Sequence, residues 1–155
     1  MNDVQVHLLL NHFPIIGTLI GACFLLFGVV RNQINIMQAG LLTIMIVALI
    51  TIPAFMSGEG AEHIAEEIEG VSHDSIEAHE EAAVPTFWMM EILGVISLIG
   101  LILGIKDHSK RRMVATICMI LAWVVFGMMV NVGYTGGHIR HPEIDQIPGY
   151  MDTIT

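Results

Sequence analysis

Three short segments, far apart in the chain, set histidine beside carboxylate or arginine. They are His12-Phe13-Pro14, His79-Glu80-Glu81, and Gly136-Gly137-His138-Ile139-Arg140-His141-Pro142-Glu143. Neutral imidazole is a good ligand for iron, copper and zinc, and added carboxylates shift the preference towards non-haem iron, zinc or manganese. A haem b would instead want two axial histidines on different helices and an apolar slot. Arg140 suits a carboxylate or a haem propionate. No Cys-x-x-Cys-His occurs, which excludes covalent c-type haem. Each segment also has a plainer reading. His12 is then an interfacial imidazole hydrogen-bonded to headgroups or a loop, and Arg140 forms a salt bridge to acidic residues. Met56, Met89 and Met90 fill core rather than bind copper.

One further ionisable residue, Glu91, lies inside an apolar run. On a helix, residues 80, 84, 87 and 91 share a face, so Glu80 and Glu91 point the same way. A carboxylate in a membrane span is a functional hypothesis by default. A water-filled vestibule or a buried hydrogen bond explains it equally well.

These residues need elements to hold them. The 155 residues are 54% apolar and 14% charged, against roughly 25% charged in a soluble domain, and the mean hydropathy is +0.71. Four apolar runs cover about 13–30, 36–56, 84–105 and 113–134. A hydrocarbon core of roughly 30 Å takes about 20 helical residues. Only helices or closed barrels satisfy the backbone there, and the runs lack the alternation of barrel strands. The expected fold is all-α, an integral membrane four-helix bundle forming a single domain over 1–155. No cleavable signal is expected, since no basic segment or small-residue cleavage site precedes the first run. Cys23 and Cys118 both lie inside runs and read as small buried apolar residues.

Four spans put both termini on one side, with residues 1–12, 57–83 and 135–155. Five of the six basic residues (Arg31, Lys106, Lys110, Arg111, Arg112) fall on the other side, with only Arg140 among the termini. The positive-inside rule makes that basic side cytoplasmic. Both termini are then periplasmic or external, in a bacterial inner membrane. Seven of eight histidines and thirteen of fifteen acids gather on the external side, so the net charge of −9 is an external acidic cap. Nucleic acid is not an expected partner of such a chain; membrane lipid is.

Within the cap, Gly58 and Gly60 are expected to end the second helix. Acids at 59, 62, 66 and 69 opposite Ala61, Ile64, Ala65 and Ile68 then suggest a short amphipathic helix at the membrane surface. The third helix is expected to begin near His73, with Ser72 as N-cap, and to kink at Pro85. The chain is expected to unwind over 134–137. His12, His79 and His141 would thereby meet over one end of the bundle.

With these residues named, the chain resembles a family of small four-span prokaryotic membrane proteins of unknown function. The likeness rests on His12-Phe13-Pro14, Ser57-Gly58-Glu59 with Ala61-Glu62, His79-Glu80-Glu81-Ala82-Ala83, and Gly136-Gly137 with Ile139-Arg140-His141 and Glu143. Members often stand beside cytochrome-like or respiratory proteins. The resemblance implies redox work on the outer face and narrows the metal ligands to His12, Glu59, Glu62, His79, Glu80, His141 and Glu143. Arg140 and Glu91 remain for a cofactor. It sets His7, His63, His73 and His138 aside. The leading expectation is a haem b or non-haem iron, zinc or copper site in electron transfer, with quinone, a cytochrome or another respiratory protein as partner. The rival is a non-catalytic membrane-complex subunit, or a small-solute or cation channel with an acidic cap.

Overall fold

The structure, a computed structural model, describes residues 3–67, 71–103 and 107–140. They form five helices: α1 (Asp3–Leu10), α2 (His12–Val30), α3 (Ile34–Glu66), α4 (His73–Leu103) and α5 (His108–Arg140). Only Asn11 separates α1 from α2. Four helices are long and apolar enough to cross a membrane, with α1 and α2 counting as one. Helix α2 packs on α3, α3 on α4, α4 on α5, and α5 closes back on α2, while α1 lies against α3. The chain is an all-α membrane four-helix bundle.

The outer surface explains why lipid is the solvent. About a third of each apolar stretch is buried, and what remains outside is Phe24, Leu49, Ile92, Val124 and similar side chains. A bundle in water would turn a polar face outwards. Hydrocarbon supplies no hydrophobic drive between helices, so close packing must hold them together, and small residues allow it. A Cβ at Gly40 would meet the Leu25 backbone nitrogen at 2.9 Å, and one at Gly28 the Met37 nitrogen at 2.7 Å. Leu25, Leu41, Ile44, Met90, Leu93 and Val125 fill the interior completely. Cys118 joins them, but Cys23 is exposed on the lipid side rather than buried; it points away from the α2–α3 seam, where Ala22 and Gly21 pack.

Two helices overrun the membrane at the same end. The 33 residues of α3 span about 50 Å at 1.5 Å each, well beyond a hydrocarbon core of roughly 30 Å. With the apolar run ending near 56, residues 57–66 project beyond it, and so do residues 73–83 of α4. Here the structure departs from two expectations. Gly58 and Gly60 do not end the helix, and 59–66 is helical as the continuation of α3 rather than as a separate element. Nor does the chain unwind over 134–137, because α5 runs through both glycines to Arg140. Helical glycine costs about 1 kcal/mol against alanine, and at Gly136 it makes room for a neighbouring imidazole. Helix α4 begins at His73 and carries Pro85 inside it.

At the opposite end α2 and α3 are joined by a turn in which Asn32 has φ 52°, a left-handed conformation that asparagine tolerates. Gln33 N–H donates to Gly28 O at 2.8 Å, closing the turn.

Candidate functional site

The overrunning ends of α3 and α4, together with α1 and the last turns of α5, form the histidine-bearing end. His79 is half-buried between α4 and α5. Its Nδ1 lies 3.1 Å from Val132 O and 3.1 Å from Thr135 Oγ1. The Thr135 hydroxyl hydrogen is directed to carbonyls of its own helix, Asn131 O and Val132 O. A carbonyl only accepts, so in the neutral ring Nδ1 carries the proton and Nε2 keeps its lone pair. A Cβ on Gly136 would come within 3.0 Å of His79 Cε1. The second glycine, Gly137, faces open space.

His7, on α1, is held in the same way. Its Nδ1 is 3.0 Å from Ala54 O, which also accepts from Ser57 Oγ at 3.0 Å. Gly58 lies alongside, where a Cβ would touch the His7 ring at 3.6 Å. Two imidazoles on separate helices thus have one nitrogen tied to a carbonyl and the other left as an acceptor. They also sense one another. Burial pushes the His79 imidazole below the ordinary histidine range, and the charge of His7 pushes it the same way, against a raising effect from Val132 O.

The carboxylates form an acidic rim at this end of the bundle. Glu62 is held above the usual carboxylate range by its partial burial, then by the charges of Glu80, Glu66 and Glu59, with His63 acting the other way. Glu59 and Glu80 are exposed. Glu66 also meets His73 at 3.5 Å and His63 at 4.0 Å, both on the surface. These pairs are solvent-screened and contribute little to stability. His138 Nδ1 lies 2.9 Å from Tyr134 O one turn back, with its ring 4.3 Å from that of Tyr134. A cleft of about 260 Å³ opens between Asp74, Ser75 and Ala78 of α4 and Tyr134, Thr135 and His138 of α5.

The residues singled out from sequence therefore divide. Glu62 and Glu80 lie within electrostatic reach of each other, with Glu59 and Glu66 beside them, while His79, next to Glu80 in sequence, turns its ring onto α5. His12 begins α2 on the surface. His141 and Glu143, and the Arg140 side chain, lie outside the described residues. Glu91 sits lower, within the span, with Oε1 buried and without a hydrogen-bond partner among the described residues. His7 is the addition, and Ser57 and Gly58 of the family-like motif pack around it. Among the described residues no three His, Cys, Asp or Glu side chains converge as a set that could hold a metal ion. Deeper in the bundle, the Thr18 hydroxyl donates to Met129 Sδ at 3.4 Å and Met90 Sδ at 3.8 Å with no exposure. That packing leaves the interior between these helices filled. Compared with protein-family models, curated proteins and solved structures, the chain has no match.

Proposed function

We propose that this membrane protein binds a transition-metal ion at its histidine-bearing end, with the Nε2 atoms of His79 and His7 as the first two ligands. The supporting observation is the shared pinning of both rings through Nδ1 to a backbone carbonyl. Ligating histidines nearly always donate their other ring N–H in this way, which fixes the tautomer and raises ligand basicity. Carboxylates of Glu62 and Glu80 at the rim would draw a cation in and complete its shell. His141 and Glu143 follow Arg140 by one and three residues in sequence and would be further donors. Imidazole with carboxylate favours iron, zinc or manganese over copper. The filled interior around Thr18, Met90 and Met129 favours a bare ion over the apolar slot that haem b needs. In this reading the end faces the periplasm or exterior, because the basic turns lie at the other end. Iron would suit an electron-transfer role beside quinone or a cytochrome.

Elemental analysis and an absorption spectrum of untagged protein test the proposal. About one iron, zinc or manganese per chain without a Soret band is the expected result. A Soret band that shifts on dithionite reduction would replace the bare ion by haem. Protein without stoichiometric metal, even after incubation with each cation, would leave an acidic cap serving a non-catalytic subunit or channel.

A further inference from the structure

The opposite end of the bundle holds a charge that the metal proposal does not use. Arg111, in the first turn of α5, is only 4% exposed. Its Nε is buried without a hydrogen-bond partner, and no ion pair reaches its guanidinium among the described residues. A buried guanidinium stays charged and is costly unless something anionic compensates it. The acid closest in sequence is otherwise engaged. Asp107 Oδ1 accepts from the backbone N–H groups of Ser109 at 2.9 Å and Lys110 at 3.2 Å, and Oδ2 lies 3.7 Å from Lys110 Nζ.

Arg111 lines an open cleft of about 500 Å³ together with Asn32, Gln33, Ile34, Asn35 and Gln38. One guanidinium and four carboxamides supply many donors, and among the described residues no carboxylate lines the cleft. The left-handed turn at Asn32 sets this polar lining at the end of α2 and the start of α3. Helix α3 opens there without a side-chain cap at Gln33, so its first N–H groups add partial positive charge. The cleft lies where one apolar run ends near residue 30 and two others begin near 36 and 113, the position that borders the headgroup region when such runs span a bilayer. Exposed Arg31, Lys110 and Arg112 surround this end.

We propose that the Arg111 cleft is a binding site for a phosphate group, held by the guanidinium fork and the carboxamides of Asn35 and Gln38. The group is either the phosphodiester of a phospholipid headgroup or a free phosphate.

Delipidated protein is examined by native mass spectrometry and thermal unfolding with phosphatidylglycerol or with inorganic phosphate. The wild type is expected to retain and be stabilised by at least one of them. Stabilisation by the lipid alone assigns the headgroup, and stabilisation by inorganic phosphate assigns a soluble ligand. Arg111→Gln should weaken the response by about tenfold or more, the scale of one lost charge-assisted bond, while exposed Arg112→Gln stays within about twofold. Gln38→Glu places a carboxylate in the cleft and should abolish the response even if Arg111→Gln fails to fold. No response from the wild type to either probe overturns the proposal, as does a wild-type response from Gln38→Glu. Neither result bears on the metal at the other end.

Discussion

At one end of the bundle His7 and His79 are held by carbonyls of neighbouring helices, Ala54 O and Val132 O. At the other, Arg111 is more deeply buried yet lacks a partner among the described residues. The first arrangement leaves an acceptor atom on each ring; the second leaves donors. A membrane protein satisfies its buried polar groups internally because hydrocarbon cannot. Groups left over after that satisfaction are therefore informative, and their polarity indicates the ligand: spare lone pairs suit a cation, spare N–H groups an anion. Between the two ends, Glu91 keeps a buried Oε1 without a hydrogen-bond partner among the described residues.

The largest effect that sharpens this contrast is expected from His79→Ala. It should cut metal affinity at least a hundredfold while leaving phosphate binding at the Arg111 cleft unchanged. Equal losses at both ends would instead mean that the substitution unfolds the bundle. Next comes the glycine pair. Gly136→Leu should push the His79 ring out of place and lower metal affinity by about 10–100-fold, the range typical of disturbed supporting contacts. Gly137→Ala, facing open space, should leave affinity unchanged and raise stability by up to about 1 kcal/mol. Titration calorimetry with zinc and thermal unfolding check both. Thr135→Val removes one of the two acceptors at His79 Nδ1 and should cost about 1 kcal/mol, a several-fold loss of affinity.

The pH responses are smaller and opposed in sign. Because the folded His79 binds its proton less tightly than an unfolded histidine, stability is lost as pH falls from the ordinary histidine value down through the lowered one. Glu62 has the reverse shift, so its unfavourable contribution grows as pH rises through the interval above the ordinary carboxylate value. Glu62→Gln should accordingly stabilise the apo protein at neutral pH, by only about a few tenths of a kcal/mol because the site is largely solvated. The gain should vanish near pH 4. A Glu62→Gln variant less stable than wild type at neutral pH would show that the rim carboxylates do not repel one another.

The bundle was legible in the sequence because its signals are summed over long stretches. Four apolar runs, the start of α4 at His73 and the segregation of histidine from arginine all rest on many residues. Glycine was misread where one residue had to decide between two uses. Gly58, Gly60 and Gly136 look like helix stops locally, yet the helices run through them, and Gly58 and Gly136 pack beside His7 and His79. Glu62 and Glu80 were named by the resemblance in one ligand set with His12, Glu59, His79, His141 and Glu143, and the two come within electrostatic reach of each other where α3 and α4 follow one another in the chain. His7 was set aside because it lies outside the motifs that carry the family resemblance. Its partner is a backbone carbonyl, which has no signature in sequence. Spacing did offer one clue: Val4, His7 and Leu10 lie on one face of a helix, and α1 packs on α3. Arg111 counted only as one of several basic residues for orientation, since burial is a property of the folded bundle.

The most direct test of the histidine pair is a cobalt(II) titration, read by its visible d–d spectrum, of wild type, His7→Ala, His79→Ala and the double variant. If both rings hold one ion, each single substitution removes most of the binding and the double variant is no worse than the weaker single. His138→Ala, whose ring bonds within its own helix, should match wild type. Wild-type cobalt binding in His79→Ala, or losses that simply add between His7 and His79, would contradict a shared ion.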